Sequence, residues 1–221
     1  GRVRSSAPKL KAWLNAVAIG ILIFLVWDVL AHAWEPIDSA VQDRRLDSAI
    51  VNGVVLAVGV GLGLLGLVYF DRWVARRSRT RNGGPSDPVA AINTVQSARE
   101  LAMLIATGIG LHNFGEGLAI GNSAAAGALS LAVLLVIGFG LHNATEGFGI
   151  VAPLAAAGAR PSWGYLGLLG LIGGGPTFLG TLVGQRFTND TISVAFLALA
   201  AGSIIYVVVE LLAVGRRFGF K

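Results

Sequence analysis

One short polar phrase occurs twice in this chain, each time inside a long apolar stretch. The first copy reads Gly-Leu-His-Asn-Phe-Gly-Glu-Gly over residues 110–117, and the second reads Gly-Leu-His-Asn-Ala-Thr-Glu-Gly over residues 140–147. Ionisable groups at membrane depth are costly, need partners and usually mark a function. Imidazole nitrogen, carboxamide oxygen and carboxylate oxygen can together ligate a divalent metal. The candidate metal ligands are His112, Asn113, Glu116, His142, Asn143 and Glu146.

Helical spacing determines which of these side chains point the same way. Residues four apart share a helix face, so His112 lies beside Glu116, and His142 lies beside Glu146. The two spans are joined by a short outer loop and run antiparallel, which brings both copies to a similar depth. We therefore expect the His of each helix to lie near the Glu of the other. A single buried His is more often a packing residue, but the repetition of the whole group favours a metal site.

The overall composition is that of a membrane protein. Hydrophobic residues make up 54% of the chain and charged residues 13%, whereas a typical soluble protein has about 25% charged residues. The chain has no cysteine, which excludes disulfides and cysteine-based metal sites. Its net charge is +5, but the basic residues lie beside apolar spans. The expected partner is therefore a lipid bilayer and not a nucleic acid.

Several apolar stretches are long enough to cross a bilayer, which takes about 20 helical residues. They predict an all-α fold, a polytopic membrane helix bundle with six transmembrane helices in this chain. The predicted spans are residues 13–34, 49–70, 99–121, 127–152, 163–185 and 191–214.

The basic residues predict how the chain is oriented. Of the 17 Lys and Arg residues, 14 fall on one side of the predicted bundle, and this side is cytoplasmic by the positive-inside rule. We therefore expect a multi-pass protein of the cell membrane with both ends of this chain in the cytoplasm. The long cytoplasmic loop contains Asn-Gly-Gly-Pro-Ser-Asp-Pro, which cannot continue a helix. The predicted segments are a basic N-terminal segment at 1–12, two membrane helices over 13–70, a cytoplasmic loop at 71–97, four membrane helices with the metal site over 98–215, and a basic tail at 216–221.

Three further polar residues are weaker candidates for a transport pathway. Asp28 and His32 are four residues apart near the outer end of the first span, where they could form an ion-entry station or simply be interface residues. Glu210 lies near the cytoplasmic end of the last span and could be an exit ligand or reach the interface by snorkelling. The Gly-Gly-Gly-Pro run at 173–176 predicts a break in the fifth span, as at many transporter sites, or a simple kink.

The doubled phrase resembles the ZIP family of zinc and iron transporters. The resemblance rests on two motifs, His-Asn-x-x-Glu-Gly-Leu-Ala starting at residue 112 and His-x-x-x-Glu-Gly starting at residue 142. Residues 18–25 with Asp28 are similar to the family's second helix, and residues 201–210 resemble its seventh. The family has eight spans and carries divalent metal toward the cytoplasm. The resemblance implies that this chain holds the second to seventh helices, with the motifs on the fourth and fifth.

The chain also departs from the family pattern. Gly115 and Thr145 stand where the family often has Pro before the motif Glu, so a helix break there is expected to be weaker or to rest on glycine. Gly175 stands where the family commonly has a Glu that ligates a second metal. We therefore expect one well-formed metal site with a weaker neighbour.

These observations predict a transporter, not an enzyme, that moves zinc, or iron or manganese, into the cytoplasm. The metal is the transported substrate, and no cofactor is expected. The sequence is compatible with a homodimer but does not decide the oligomeric state. The alternative is a membrane-embedded metalloenzyme, but such enzymes carry His-Glu-x-x-His or repeated Glu-x-x-His elements, and the three histidines here lack that spacing. A structural or receptor-like membrane protein is a third option, and it predicts no stoichiometric metal binding.

Overall fold

Six long helices make up the described part of the chain. The computed structural model describes residues 8–81 and 88–217, and the regular structure within these ranges is entirely helical. The predicted all-α helix bundle is confirmed, and each predicted span corresponds to one helix. The helices are α1 (Pro8–Gln42), α2 (Leu46–Arg81), α3 (Pro88–Ala125), α4 (Leu129–Ala156), α5 (Trp163–Gly184) and α6 (Asp190–Arg217).

Five of these helices are long and apolar enough to cross a membrane. They are α1, α2, α4, α5 and α6, with apolar spans of 22 to 28 residues. The exception is α3, which has 38 residues but carries His112, Asn113 and Glu116 at its centre. It packs against α2, α4, α5 and α6, and these neighbours cover the polar side chains. The helix without a sufficiently apolar span, α3, is therefore the one that the other helices enclose.

The helices extend further than the apolar runs that predicted them. The segment 71–97 was expected to be a cytoplasmic loop, but α2 continues to Arg81 and α3 begins at Pro88. At its C-terminal end, α1 runs through Pro36 to Gln42, which leaves a short turn before α2. Polar helix ends outside a bilayer carry no apolar signal, so hydropathy alone could not reveal these extensions.

Glycines allow α3 and α5 to approach at backbone distance. A Cβ atom at Gly117 would collide with the Thr177 carbonyl oxygen, and one at Gly180 would collide with the Phe114 carbonyl oxygen. Helices α2 and α6 are joined in the same way, since a Cβ at Gly202 would meet the carbonyl oxygen of Val60. Small residues at helix interfaces are the usual means of close packing in membranes. The bundle thus contains two closely packed helix pairs, one of which includes the first polar phrase.

The predicted break in the fifth span is wrong, because α5 is continuous from Trp163 to Gly184 with Pro176 inside it. Proline has no backbone N–H, so Pro176 cannot donate to the Ile172 carbonyl four residues earlier. That carbonyl oxygen instead faces Gly110 of α3, where a Cβ would collide with it. The helix therefore continues through the proline, and the carbonyl to which Pro176 cannot donate lies against α3.

Candidate functional site

Four of the predicted ligands converge where α3 and α4 face each other. The His112 Nε2 atom lies 3.0 Å from Glu116 Oε1, and the His142 Nε2 atom lies 3.1 Å from Glu146 Oε1. Across the two helices, His112 Nε2 lies 3.8 Å from Glu146 Oε1. The imidazole rings of His112 and His142 meet edge to face, with centroids 6.0 Å apart. The expected approach of a His on one helix to the Glu on the other is thus observed for His112 and Glu146.

Three of these side chains form a group compact enough to hold one ion. One ligand atom from each of His112, His142 and Glu146 can be chosen so that all three lie within 4.8 Å of one another. His112 and His142 are buried, and the Glu146 side chain is only 9% exposed. Glu116 is fully buried against His112 and completes the set from the α3 side.

The polar atoms at this site have few hydrogen bonds. Apart from the His–Glu contacts of 3.0, 3.1 and 3.8 Å, both ring nitrogens of His112 and His142, both carboxylate oxygens of Glu116, and Oε2 of Glu146 have no hydrogen-bond partner among the residues that the structure describes. Buried polar groups without partners are costly, and native proteins keep few of them. Imidazole nitrogens and carboxylate oxygens clustered in this way are a donor set suited to a divalent transition metal.

The two asparagines of the repeated phrase differ in their surroundings. Asn113 is buried, and its Nδ2 donates a hydrogen bond of 2.9 Å to the Gly173 carbonyl oxygen of α5. Its Oδ1 atom, like that of the half-buried Asn143, has no hydrogen-bond partner within the described ranges. Asn113 therefore ties α5 to the helix that carries His112 and Glu116.

The three weaker candidates lie outside this cluster. Asp28 and His32 interact with each other on α1: His32 Nδ1 lies 2.9 Å from the Asp28 backbone oxygen and 3.6 Å from Asp28 Oδ2. Both are half-buried, and neither belongs to the three-residue group of α3 and α4. Glu210 is exposed near the C-terminal end of α6, beside Tyr206. The structure does not bring these residues to the site.

A cavity of about 120 Å³ opens beside the cluster and was not predicted from the sequence. His112 and Glu146 line it, and so do Asp71 and Tyr206, which lie towards the C-terminal ends of α2 and α6. Phe70 of α2 is also part of its wall. A search for repeated polar motifs could not find these residues, because single aromatic and acidic residues near span ends are common in membrane proteins.

The sequence model of a family described as ZIP zinc transporter matches residues 76–216, well over half of the chain. The chain belongs to the ZIP zinc transporter family. The matched region contains both polar phrases and helices α3 to α6, whereas α1 and most of α2 precede it. No curated protein and no solved structure matches the chain significantly.

Family membership assigns the function class. ZIP proteins are transporters of metal ions and not enzymes, so this ZIP family member is a multi-pass membrane protein that transports a divalent metal. At the position where the resemblance led us to expect proline, the Thr145 hydroxyl donates a 2.7 Å hydrogen bond to the His142 carbonyl oxygen. Both motif helices are continuous through Gly115 and Thr145. The polar phrases therefore lie on regular helices, which keeps each His one turn from its Glu.

Proposed function

We propose that this ZIP family member carries Zn²⁺, or a divalent ion of similar chemistry, into the cytoplasm through a site formed by His112, Glu116, His142 and Glu146. The observation that supports this proposal best is the group of three ligand atoms within 4.8 Å, contributed by two helices and enclosed by the bundle. Two imidazoles and one or two carboxylates match the ligands that zinc takes in proteins.

The dimensions of the group suit a single ion. Zinc bonds of about 2.0–2.1 Å place tetrahedral ligand atoms about 3.4 Å apart. The measured separations run from 3.0 Å within a helix to 3.8 Å between helices, with a limit of 4.8 Å for the three-atom group. A movement of about 1 Å, within the range of side-chain rotation, would close the group around one ion. Gly175 supplies no side chain, which supports one ion per chain as the stoichiometry.

The cavity supports transport toward the cytoplasm. It connects the cluster with Asp71, which lies near the end of α2 that the positive-inside rule assigns to the cytoplasm. On the other side of the cluster, towards the loop that joins α3 and α4, Ala119 and Ile120 of α3 and Leu135 and Phe139 of α4 are buried in an apolar core. A route that is open on one side of a site and packed on the other is what an inward-facing state of a carrier presents.

The direct test is metal uptake by the full chain reconstituted into lipid vesicles. The variant Glu116→Ala, Glu146→Ala removes both carboxylates, and we expect it to take up radiolabelled zinc at the rate of empty vesicles. The matched control is Glu35→Ala, Asp38→Ala, which removes two exposed carboxylates near the outer end of α1 and should transport like the parent. Uptake by the double variant at the rate of this control would rule out the proposed site.

A second measurement separates binding from transport. Equilibrium dialysis in detergent should give one zinc ion per parent chain and none on the double variant. If the parent binds no metal and yet takes it up, the ions cross the membrane elsewhere, and the site assignment fails although the family function stands.

A further inference from the structure

The cavity beside the metal site has one aromatic wall whose position depends on a glycine. The ring of Phe70 on α2 lies directly on the backbone of Gly108 on α3, and both residues line the cavity. A Cβ atom at position 108 would collide with Phe70 Cε1 and would lie 2.8 Å from Cδ1 and 3.0 Å from Cζ. Since real Cβ contacts are not that short, any side chain at 108 would force the ring out of its present place.

The surroundings of Phe70 determine where the ring can go. The Trp73 ring lies on one side, with its centroid 5.9 Å from that of Phe70, and the α3 backbone lies on another. Phe70 also lines the cavity of about 120 Å³, which is open space on another side of the ring. A ring displaced from Gly108 has room in this cavity, between the metal cluster and the cytoplasmic mouth.

A movement of the Phe70 ring would affect the path between the metal site and Asp71, because of where Phe70 lies along the cavity. Helix α3 leads from the cytoplasmic side to His112, so Gly108 lies one turn before this ligand. Asp71, next to Phe70, lines the same cavity and provides a carboxylate. An ion that moves between His112 and Asp71 must therefore pass the face of the Phe70 ring. An apolar side chain at a narrow point obstructs a hydrated ion because water is excluded there.

We propose that Phe70, seated on Gly108, sets the width of the route between the metal site and the cytoplasm. In the seated position the ring narrows the route without closing it, and a ring displaced toward α6 closes it. The proposal deepens the transport function proposed above and takes its meaning from it, but it concerns access to the site and can be measured without transport.

The absence of cysteine from the chain makes access measurable with one introduced thiol. Ile109→Cys places a sulfur on the cavity wall between Gly108 and His112. The rate of its reaction with a fluorescent maleimide is followed on the full chain in detergent, with EDTA present so that no metal protects the thiol. Tyr69→Ala is the matched control, since Tyr69 precedes Phe70 on α2 but its side chain is 67% exposed on the surface of the bundle, away from the cavity lining.

Two substitutions should change the rate in opposite directions. Phe70→Ala should raise the labelling rate at least about tenfold over Tyr69→Ala, the factor that ~1.4 kcal/mol gives in an equilibrium. Gly108→Ala should lower the rate by a similar factor, because the displaced ring fills the cavity. The double variant Gly108→Ala, Phe70→Ala should label as fast as Phe70→Ala alone, since no ring is left to displace.

Either of two results would overturn the proposal. One is equal labelling of the Phe70→Ala and Tyr69→Ala proteins, and the other is faster labelling after Gly108→Ala. If Gly108→Ala does not fold, as judged by size-exclusion chromatography and circular dichroism, the comparison of Phe70→Ala with Tyr69→Ala decides alone. The expected labelling pattern without any zinc uptake would support the control of access and contradict the transport function, so the two failures are distinguishable.

Discussion

Glu146 should contribute more to metal affinity than Glu116, although the two residues occupy equivalent places in the repeated phrase. Glu146 Oε1 lies 3.1 Å from His142 and 3.8 Å from His112, whereas Glu116 Oε1 lies 3.0 Å from His112. A dication held by both imidazoles is therefore within bonding reach of Glu146. We compare Glu146→Gln with Glu116→Gln, because glutamine keeps the size of the side chain and removes its charge.

The size of the effect follows from these distances. Two unit charges 4 Å apart attract by about 4 kcal/mol at an effective dielectric constant of about 20, and a dication doubles this value. The carboxylate loses much of that energy when it leaves water, so the net cost of removing one charge from a buried pair is about 3–5 kcal/mol. At about 1.4 kcal/mol per factor of ten, the Kd for zinc should rise at least about 100-fold in Glu146→Gln. We expect a rise of about tenfold in Glu116→Gln, which loses the carboxylate farther from the shared centre.

The assay is isothermal titration of zinc into each purified protein in detergent, at one pH and one salt concentration. Glu35→Gln, an exposed carboxylate on α1, should bind like the parent and controls for the loss of one charge. If Glu146→Gln binds zinc as tightly as this control, or if Glu116→Gln is the weaker binder, the ion is not centred on Glu146 and the proposed geometry is wrong.

Three further outcomes follow from the packing and from the site. Zinc at 100 times its Kd should stabilise the parent by about 2.7 kcal/mol, seen as a rise in Tm that EDTA reverses; no rise would mean that the folded chain has no site. Gly180→Ala should lower the free energy of unfolding by about 1–3 kcal/mol in thermal unfolding, because its methyl group meets the α3 backbone. Gly170→Ala in the same helix meets nothing within 4 Å and should be neutral or stabilising. Equal effects of the two substitutions would refute the close contact between α3 and α5. Asn113→Leu removes the hydrogen bond to Gly173 and should cost about 1–3 kcal/mol by the same measurement, so an unchanged Tm would show that the bond does not stabilise the bundle.

Local sequence patterns were sufficient to predict the helices and the cluster of His and Glu. The apolar runs exceed the length of a bilayer core, and helical spacing fixes His112 beside Glu116 and His142 beside Glu146. Because a short loop makes α3 and α4 antiparallel, the contact between His112 and Glu146 could also be expected. These features depend on neighbours along one helix or across one turn, which is the information that a single sequence contains.

The remaining features depend on neighbours that are distant in sequence. Asn113 bonds to a residue 60 positions later, and Phe70 meets Gly108 across a different helix pair. The predicted break in the fifth span was wrong, since α5 is continuous through Pro176 and its Ile172 carbonyl lies against Gly110 of α3. Nothing in the local pattern of α5 shows that α3 lies against this carbonyl.

The short distances at the site lie within helices, and the cross-helix approach between His112 and Glu146 is longer. Each motif helix therefore contains its own His–Glu pair, His112 with Glu116 on α3 and His142 with Glu146 on α4. If α3 and α4 part, the contact of 3.8 Å is lost while those of 3.0 and 3.1 Å remain. No carboxylate would then face lipid without its imidazole. If the proposed transport runs through a carrier cycle, this pairing within each helix leaves no isolated charge in the hydrocarbon when the site is empty.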